Sequence, residues 1–525
     1  MAASAGAITL PVATPGPFYR DDVTDVANSI STVTEIGCAQ GASSGDVALC
    51  VDLDGTLIRG DLLWESVMLM LRRQPQNAWK LPLWVARGKA GFKDALAQHV
   101  APDTALLAYR ADVLEFIRGE RAAGRRVILA TASHEKLAEK VAAHLGVFDD
   151  VLASRANVNL SGARKLAAIR EHLHGEAFDY IGDSAADVPL CRAARLAYLV
   201  SPKGSVIVAV GPAYDPARRF GDKGGTLKAW IKAIRPVQWS KNLLIFVPLM
   251  TAHKITDLVL VSQVLLAFVA FSLCASAVYL LNDLLDIESD RQHPKKRNRP
   301  LASGKLSIPM AVATCGLLVA ASFALSAALL PVAFVETLAV YLAMTTLYSV
   351  WVKTKLLMDV IVLAGLYTLR IVAGGTATGV EISEYLLAFS MFMFTSLAVM
   401  KRYTELLIMQ DRDQRESKGR GYITADLTIM DAMGPALGCM SVLVMALYIQ
   451  YMIHPPTGDT MVHPTYHHPK VLWGVCPVLL YWIMRAWVLA KRRHFADDPI
   501  AFALRDRTSW IAGILAVAAV VLASL

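Results

Sequence analysis

From residue 242 to the C-terminus the chain is a succession of apolar segments, at about 242–257, 258–281, 308–330, 332–352, 356–380, 384–403, 432–453, 470–490 and 508–525. No other feature limits the fold so strongly. In hydrocarbon, every backbone N–H and C=O needs a partner within the protein, so an apolar run near twenty residues becomes a membrane-spanning helix. The first segment is short and contains Pro248. Residues 1–235 differ, mixing charged and apolar residues as a globular protein does. The mean hydropathy of +0.43 and the 55% hydrophobic content agree with a chain that is part membrane-embedded. The expected fold is therefore two-domain: an N-terminal α/β domain, then an all-α polytopic bundle of nine transmembrane helices.

Basic residues cluster in alternate loops. Loop 282–307 is rich in Lys and Arg, and Lys353 and Lys355 follow. Lys401, Arg402, Arg412, Arg415, Lys418 and Arg420 mark the next such loop, and Lys491, Arg492, Arg493, Arg505 and Arg507 the last. With nine spans, all of these fall on the side of the N-terminal domain. The positive-inside rule then makes that side cytosolic, in a multi-pass protein of the inner (cytoplasmic) membrane. The net charge of +8 is accordingly read as topology and phosphate binding, with no nucleic-acid partner. The seven cysteines form no CxxC pair and are expected to be free. Residues 1–45 lack a secretory-signal pattern and are expected to be a flexible lead-in. An oligomer remains open.

The stretch Asn282–Gly304 carries the densest chemistry. Asp283, Asp286 and Asp290 are spaced i, i+3, i+7, which on a helix places three carboxylates on one face. Such a cluster repels itself unless a divalent cation neutralises it. Lys295, Lys296, Arg297 and Arg299 follow within one loop. Carboxylate ligands for Mg2+ beside a basic cluster suit a diphosphate leaving group. Further along, Lys355, Asp359, Tyr367 and Arg370 form a second group; Asp359 and Arg370 lie about three turns apart on one helix face. Lys401, Arg402 and Glu405 form a third. Lys355, Lys401 and Arg402 read equally well as topology markers, and Tyr367 as an interfacial aromatic. His463, His467 and His468 read as a solvated outer loop, and Arg485 as a snorkelling side chain.

In the N-terminal part, the apolar strand Val47–Val51 runs into Asp52-Leu53-Asp54-Gly55-Thr56. A second strand at 127–130 ends in Thr131-Ala132-Ser133, Lys165 follows, and a third near Tyr180-Ile181 ends in Gly182-Asp183-Ser184-Ala185-Ala186-Asp187. In this order the set resembles the haloacid dehalogenase (HAD) superfamily of phosphohydrolases. The resemblance implies a parallel sheet with helices on both faces and a helical cap at about 61–120. It implies Asp52 as nucleophile, Asp54 as general acid/base, Thr131 and Ser133 as phosphoryl contacts, and Lys165 as a charge-balancing lysine. One Mg2+ is implied, held among Asp52, Asp54, Asp183 and Asp187. The domains are expected at 46–205 and 236–525, joined by a linker, 206–235, in which Lys228–Ile234 suits a short amphipathic helix at the membrane surface.

The run NDxxDxxxD at Asn282–Asp290, with the HPxKxxRPxxxG run that follows, resembles the UbiA superfamily of intramembrane prenyltransferases. Within it, Arg235–Asn242, Tyr348-Ser349, Asp359 with Tyr367 and Arg370, Lys401-Arg402-Tyr403-Thr404-Glu405, and Asp497-Asp498-Pro499 with Asp506-Arg507 resemble the decaprenyl-phosphate phosphoribosyltransferase branch. That resemblance implies phosphoribosyl transfer from 5-phosphoribosyl diphosphate (PRPP) to a polyprenyl phosphate in the lipid. Asp283 and Asp290, supported by Asp286 or Asn282, would hold at least one Mg2+ on the diphosphate. Lys295 and Arg299 would stabilise the departing charge. Lys241, Lys355, Lys401, Arg402 and Arg370 become candidate phosphate contacts, and Tyr367 and Glu405 candidate sugar contacts. The second acidic motif is reduced to Asp359. The product would still carry a phosphate monoester, a substrate for the N-terminal domain, so a bifunctional enzyme is expected. The alternative is transfer of a polyprenyl group from its diphosphate to an aromatic acceptor.

Overall fold

The computed structural model describes residues 47–155, 158–216, 218, 220–221, 226–411, 421–454, 466–494, 502–503 and 505–525. The lead-in 1–45, the loop residues Arg412, Arg415, Lys418 and Arg420, His463 and the Asp497-Asp498-Pro499 run lie outside the described residues.

Strand β1 (Ala48–Val51) is the centre of a five-stranded parallel sheet of order β3-β2-β1-β4-β5, completed by β2 (Val127–His134), β3 (Asp150–Ser154), β4 (Phe178–Gly182) and β5 (Ala197–Leu199). All four β1 residues are buried, as a strand covered on both faces requires. Around the sheet the chain forms α1 (Leu62–Arg73), α2 (Lys80–Val85), α3 (Gly88–His99), α4 (Ala111–Ala122), α5 (Glu135–Leu145), α6 (Ala163–His172), α7 (Val188–Ala193) and α8 (Gly204–Val210). Leu49, Val51, Val127 and Leu129 pack on α4 and α5; Ala48, Cys50, Ile128 and Tyr180 pack on α6, α7 and α8. In register, Val51 lies opposite both Leu129 and Ile181. The residues that follow these strands therefore emerge together at the carboxyl edge of the sheet, where parallel sheets bind ligands. Of the insert expected at 61–120, α4 joins the sheet core through Val113 and Ile117. Val206 and Val210, read from sequence as linker, are also buried in that core because they share one face of α8.

Beyond α9 (Thr226–Ile234) the chain enters the bundle. Among the described residues, eight helices are long and apolar enough to cross a membrane. The chain here forms α10 (Val247–Thr251), α11 (Leu258–Leu285), α12 (Ile287–Gln292), α13 (Ile308–Leu329), α14 (Val332–Val350), α15 (Met358–Thr378), α16 (Glu384–Gln410), α17 (Leu427–Ile453), α18 (Val475–Lys491) and α19 (Arg507–Ser524). The first apolar segment is built differently, as a 3-10 run of 11 residues, Pro236–Phe246, followed by the 5 residues of α10. Pro236 and Pro248 remove backbone donors there. The 3-10 rise of about 2.0 Å per residue still lets the two pieces cover roughly 30 Å, the depth of a bilayer core. The run lies directly on α15: a Cβ at Gly374 would stand 2.0 Å from the Ile245 carbonyl oxygen.

The two parts meet on one side. Val67, Met68, Leu69 and Met70 of α1 share a buried cluster with Leu280, Leu284, Leu301 and Ile308. Arg72 reaches the Ser349 carbonyl (3.4 Å), and Arg59 the Ser303 carbonyl (3.5 Å). The sheet region thus sits against the bundle end that carries loops 286–307 and 351–357.

One buried charge network fixes the sheet. Asp179 on β4 is fully buried and accepts from Arg125, from Arg195 (3.0 and 2.8 Å) and from the Leu196 N–H (3.0 Å). Asp179→Ala would remove the buried carboxylate that Arg125 and Arg195 share and leave the buried Arg125 guanidinium with Glu120 (3.0 Å) in its place. The expected cost is about 3–5 kcal/mol, read as earlier thermal exposure of the sheet region to proteolysis while the bundle stays resistant.

Candidate functional sites

At the carboxyl edge of the sheet, Asp52 follows β1, and Lys165 donates to it at 2.7 Å. Thr56 donates to its other oxygen at 3.3 Å. Lys165 also reaches Asp187 (3.3 Å), which accepts from Tyr180 (2.9 Å) and Ser184 (2.7 Å). Carboxylate oxygens of Asp52, Asp183 and Asp187 lie within 4.8 Å of one another. An all-oxygen anionic set of this size fits Mg2+. Gly55 makes the packing possible: it has φ +79°, and a Cβ there would stand 2.2 Å from Asp183 Oδ2.

The electrostatics follow from crowding. Burial, then the charges of Asp52 and Asp187, push Asp183 up to about 7. Burial pushes Asp52 up to about 6 against the pull of Lys165. Burial works to lower the Lys165 pKa, but Asp52 and Asp187 outweigh it and hold the ammonium above its ordinary value. Asp54 is separate. The Leu62 N–H (2.9 Å) and the Ser133 hydroxyl (2.6 Å) hold its carboxylate. Burial, then Asp61, push it up to about 7, where an acid can both give and take a proton. The expectation that Asp54 joins the metal carboxylates is corrected: its side chain is committed to the start of α1 and to β2. Thr131 is buried, and its hydroxyl accepts from the Ser133 N–H at 3.0 Å. Lys93 of α3, not singled out from sequence, donates to the Ala132 carbonyl (2.5 Å) and to Asn159 (3.1 Å), so the cap reaches over this site.

In the bundle, the expected single face of three aspartates is broken. Helix α11 ends at Leu285, and Asp286, with φ −101° and ψ 13°, turns the chain before α12. Asp283 and Asp290 stay together: Arg299 donates to both, at 3.0 and 2.6 Å, and Arg235 also binds Asp283. The two carboxylates therefore face one cation position, and their oxygens suit Mg2+. Asp286 points elsewhere, to Lys353 (3.2 and 3.1 Å) and to Arg72 of α1 (3.5 Å). In this arrangement Asp286 is paired with a different set of cations from Asp283 and Asp290. Among the described residues these aspartates form no three-carboxylate cluster. Asn282 is half-buried beside them, and Lys295 is exposed.

The remaining bundle residues fall into two connected groups. Asp359 is fully buried; it accepts from Arg402 (2.6 Å) and from the Tyr422 hydroxyl, while Arg402 also donates to Glu405 (2.8 Å) and Tyr348 (2.8 Å). Arg370 donates to Asn242 (3.0 Å) and Tyr341 (3.3 Å). Tyr367 stacks on Phe394 and carries Lys241 over its ring at 5.7 Å. The 3-10 run joins Arg370 to the acidic motif, since Asn242 lies within it and Arg235 precedes it. Lys401 is half-buried one residue from Arg402. Lys355 is exposed and lies over Trp351 at 5.4 Å, so it does not join the groups around Asp359 or Arg370. Leu357, at φ 61°, turns the chain between Lys355 and Asp359. Arg485 pairs with Asp506 (2.7 Å). Arg235, Tyr341 and Tyr422 were not expected as site partners; each lies far along the chain from the residue it binds.

Comparison with known proteins agrees with both halves. The family model "UbiA prenyltransferase family" matches residues 243–511, and "haloacid dehalogenase-like hydrolase" matches residues 49–192. The chain is 36% identical over 485 residues to "Uncharacterized protein y4nM" of Sinorhizobium fredii, covering 90% of each. It is 36% identical over 282 residues to "Nodulation protein NoeC" of Azorhizobium caulinodans, covering 54% of this chain and 89% of that protein. It is 40% identical over 181 residues to "Decaprenyl-phosphate phosphoribosyltransferase" of Corynebacterium glutamicum, covering 34% of this chain and 54% of that protein. With its acidic motif at the end of α11 and a second site at the edge of a parallel sheet, the chain belongs to the UbiA prenyltransferase family and carries an N-terminal haloacid dehalogenase-like hydrolase domain.

Proposed function

We propose that the bundle transfers a 5-phosphoribosyl group from PRPP to a polyprenyl phosphate, and that the sheet domain then removes the 5-phosphate to leave polyprenyl-phosphoryl ribose for glycan synthesis. The likeness to decaprenyl-phosphate phosphoribosyltransferases carries this reading. The basic loops support assigning both reactions to the cytosolic face of the inner membrane.

For the transfer, Asp283 and Asp290 fit Mg2+, which when bound would neutralise the diphosphate of PRPP. Arg235 and Arg299, released from the two carboxylates, face the charge that develops as diphosphate leaves. The lipid phosphate oxygen forms the new bond to ribose C1 as the C1–O bond to diphosphate breaks. Arg402 with Tyr348 and Glu405, and Arg370 with Lys241 and Tyr367, are the groups available to hold the lipid phosphate and the ribose 5-phosphate.

For the hydrolysis, Asp52 attacks phosphorus, and Asp54 protonates the departing ribose O5. Water then cleaves the aspartyl phosphate, with Asp54 taking its proton back. Lys165 screens the approach of one anion to another. Mg2+, which the carboxylates of Asp52, Asp183 and Asp187 fit, would supply further charge neutralisation.

Purified protein in vesicles containing polyprenyl phosphate, given PRPP, is expected to yield polyprenyl-phosphoryl ribose by mass spectrometry. A product formed only from a polyprenyl diphosphate and an aromatic acceptor would establish the alternative chemistry instead. Asp52→Asn is expected to stop at the phosphorylated lipid, with phosphate release down by about a thousandfold or more. Asp283→Ala with Asp290→Ala is expected to abolish lipid product, while hydrolysis of p-nitrophenyl phosphate continues.

Mg2+ should also stabilise the sheet domain in a pH-dependent way. Asp183 has a folded pKa of about 7, above its unfolded value. Without metal, its contribution favours the fold in acid and is lost as pH rises from about 4 to about 7. Bound Mg2+ removes the penalty above that range. The rise in melting temperature on adding Mg2+ is expected to be larger at about pH 8 than at about pH 5.5.

A further inference from the structure

The structure places the start of α1 at Asp54 and its end at the turn between α11 and α12, next to the acidic motif. At the start of α1, the Leu62 N–H holds Asp54. At its end, Arg72 pairs with Asp286 (3.5 Å) and Arg73 with Glu288 (2.7 Å). The helix has 12 residues, so it is about 18 Å long.

A cavity of about 420 Å³ runs along the same helix. Glu65, Met68, Leu69, Arg72 and Arg73 line it. Their spacing of three, four, seven and eight residues makes up a single helix face. The wall therefore starts one turn from the residue that holds Asp54 and ends at the turn of the acidic motif. The facing wall is Leu284, Leu285 and Ile287 from the end of α11 and the start of α12, with Val350 at the end of α14. These are the positions where the spans leave the apolar layer, so the cavity lies at the depth of the lipid head groups.

Its chemistry is amphiphilic. Met68, Leu69, Leu284 and Leu285 offer an apolar wall, and Arg72, Arg73 and Arg291 offer guanidinium groups beside the carboxylates of Glu65, Asp103 and Glu288. The arginines are not equivalent. Arg291 is held by Glu65 in a bidentate pair at 2.9 and 2.8 Å, with both side chains at 10% exposure or less. That pair is a fixed part of the wall. Arg73 is 54% exposed in its pair with Glu288, and exposed pairs are weak and readily exchanged for a phosphate, which accepts a bidentate guanidinium. The volume suits a head group and the first part of a hydrocarbon tail.

From this we infer that the seam between α1 and the bundle binds the phosphate ester of an apolar-tailed lipid and passes it from the membrane motif to Asp54. The inference rests on the two-step reading above and adds a route between the steps. The ligand class is a lipid phosphate ester, either the acceptor lipid phosphate or its phosphoribosyl product.

Two substitutions fill the cavity from opposite walls, Leu69→Trp and Val350→Trp. Each variant is given PRPP and polyprenyl phosphate in vesicles, and the lipids are resolved by mass spectrometry into forms with and without the 5-phosphate. Hydrolysis of p-nitrophenyl phosphate is measured alongside as the normaliser. The expected result is a fall of about fivefold or more in lipid dephosphorylation relative to small-ester hydrolysis in both variants. Lipid product with an unchanged ratio in both variants overturns the route. Absence of any phosphoribosyl lipid from the unsubstituted chain instead defeats the two-step reading, a separate outcome. In a second measurement, maleimide labelling of Met68→Cys is expected to slow in vesicles carrying polyprenyl phosphate and not with inorganic phosphate at the same concentration. Equal slowing by both would make the seam a simple anion site, and no slowing would remove it; either overturns the proposal.

Discussion

Both sites depend on one constraint: a carboxylate taken out of water must meet a cation. Asp52 and Asp187 meet Lys165, Asp283 and Asp290 meet Arg299, and Asp359 meets Arg402. An unpaired charge at these depths would cost more than the surrounding packing returns. The choice of cation follows the task. Lys165 is a compact point charge between two carboxylates that also face a metal position. Arg299 donates to both carboxylates from a single guanidinium nitrogen and keeps its charge whatever the burial. The pairs also mark where exchange is possible. A cation that enters either site competes with a side chain already there, so the protein stays folded while its ligands come and go.

The sequence was most legible where chemistry is packed into short runs. Asp52-Leu53-Asp54-Gly55 follows β1, Thr131-Ala132-Ser133 lies in the last part of β2 and Gly182-Asp183 closes β4, and parallel register brings these strand ends together. Long apolar runs located the spans for the equally local reason that hydrocarbon leaves the backbone no other choice. Legibility failed where a local rule assumed regular geometry. The i, i+3, i+7 argument held for Asp283 and Asp290 but lost Asp286, because the helix stops at that residue. Lys355 and Asp359 are four residues apart, yet the positive φ of Leu357 separates their surroundings. The partners Arg235 and Tyr422 lie 48 and 63 residues from the aspartates they hold, and no periodicity reaches that far.

The junction between the two parts repays a comparison of magnitudes. The exposed pair Arg73–Glu288 contributes about 0–1 kcal/mol. The apolar contact is larger. Val67, Met68, Leu69 and Met70 are buried with Leu280, Leu284, Leu301 and Ile308, and each fully buried side chain of this size is worth about 1.5–3 kcal/mol. Apolar burial therefore holds α1 on the bundle, and the buried Glu65–Arg291 pair sets its register, since a one-turn slip would leave both charges unpaired in a dry seam. With α1 anchored this way, the cap helix that carries the Leu62 N–H to Asp54 is fixed relative to the membrane. On the proposed route, an ester reaches Asp52 along the seam; the other way in is movement of the sheet against α1. The first admits only a molecule already lying at the membrane surface and the second admits soluble esters. If the proposed route holds, a cap fixed to the bundle would favour a membrane-borne ester over a soluble one before any contact with the catalytic carboxylates is made.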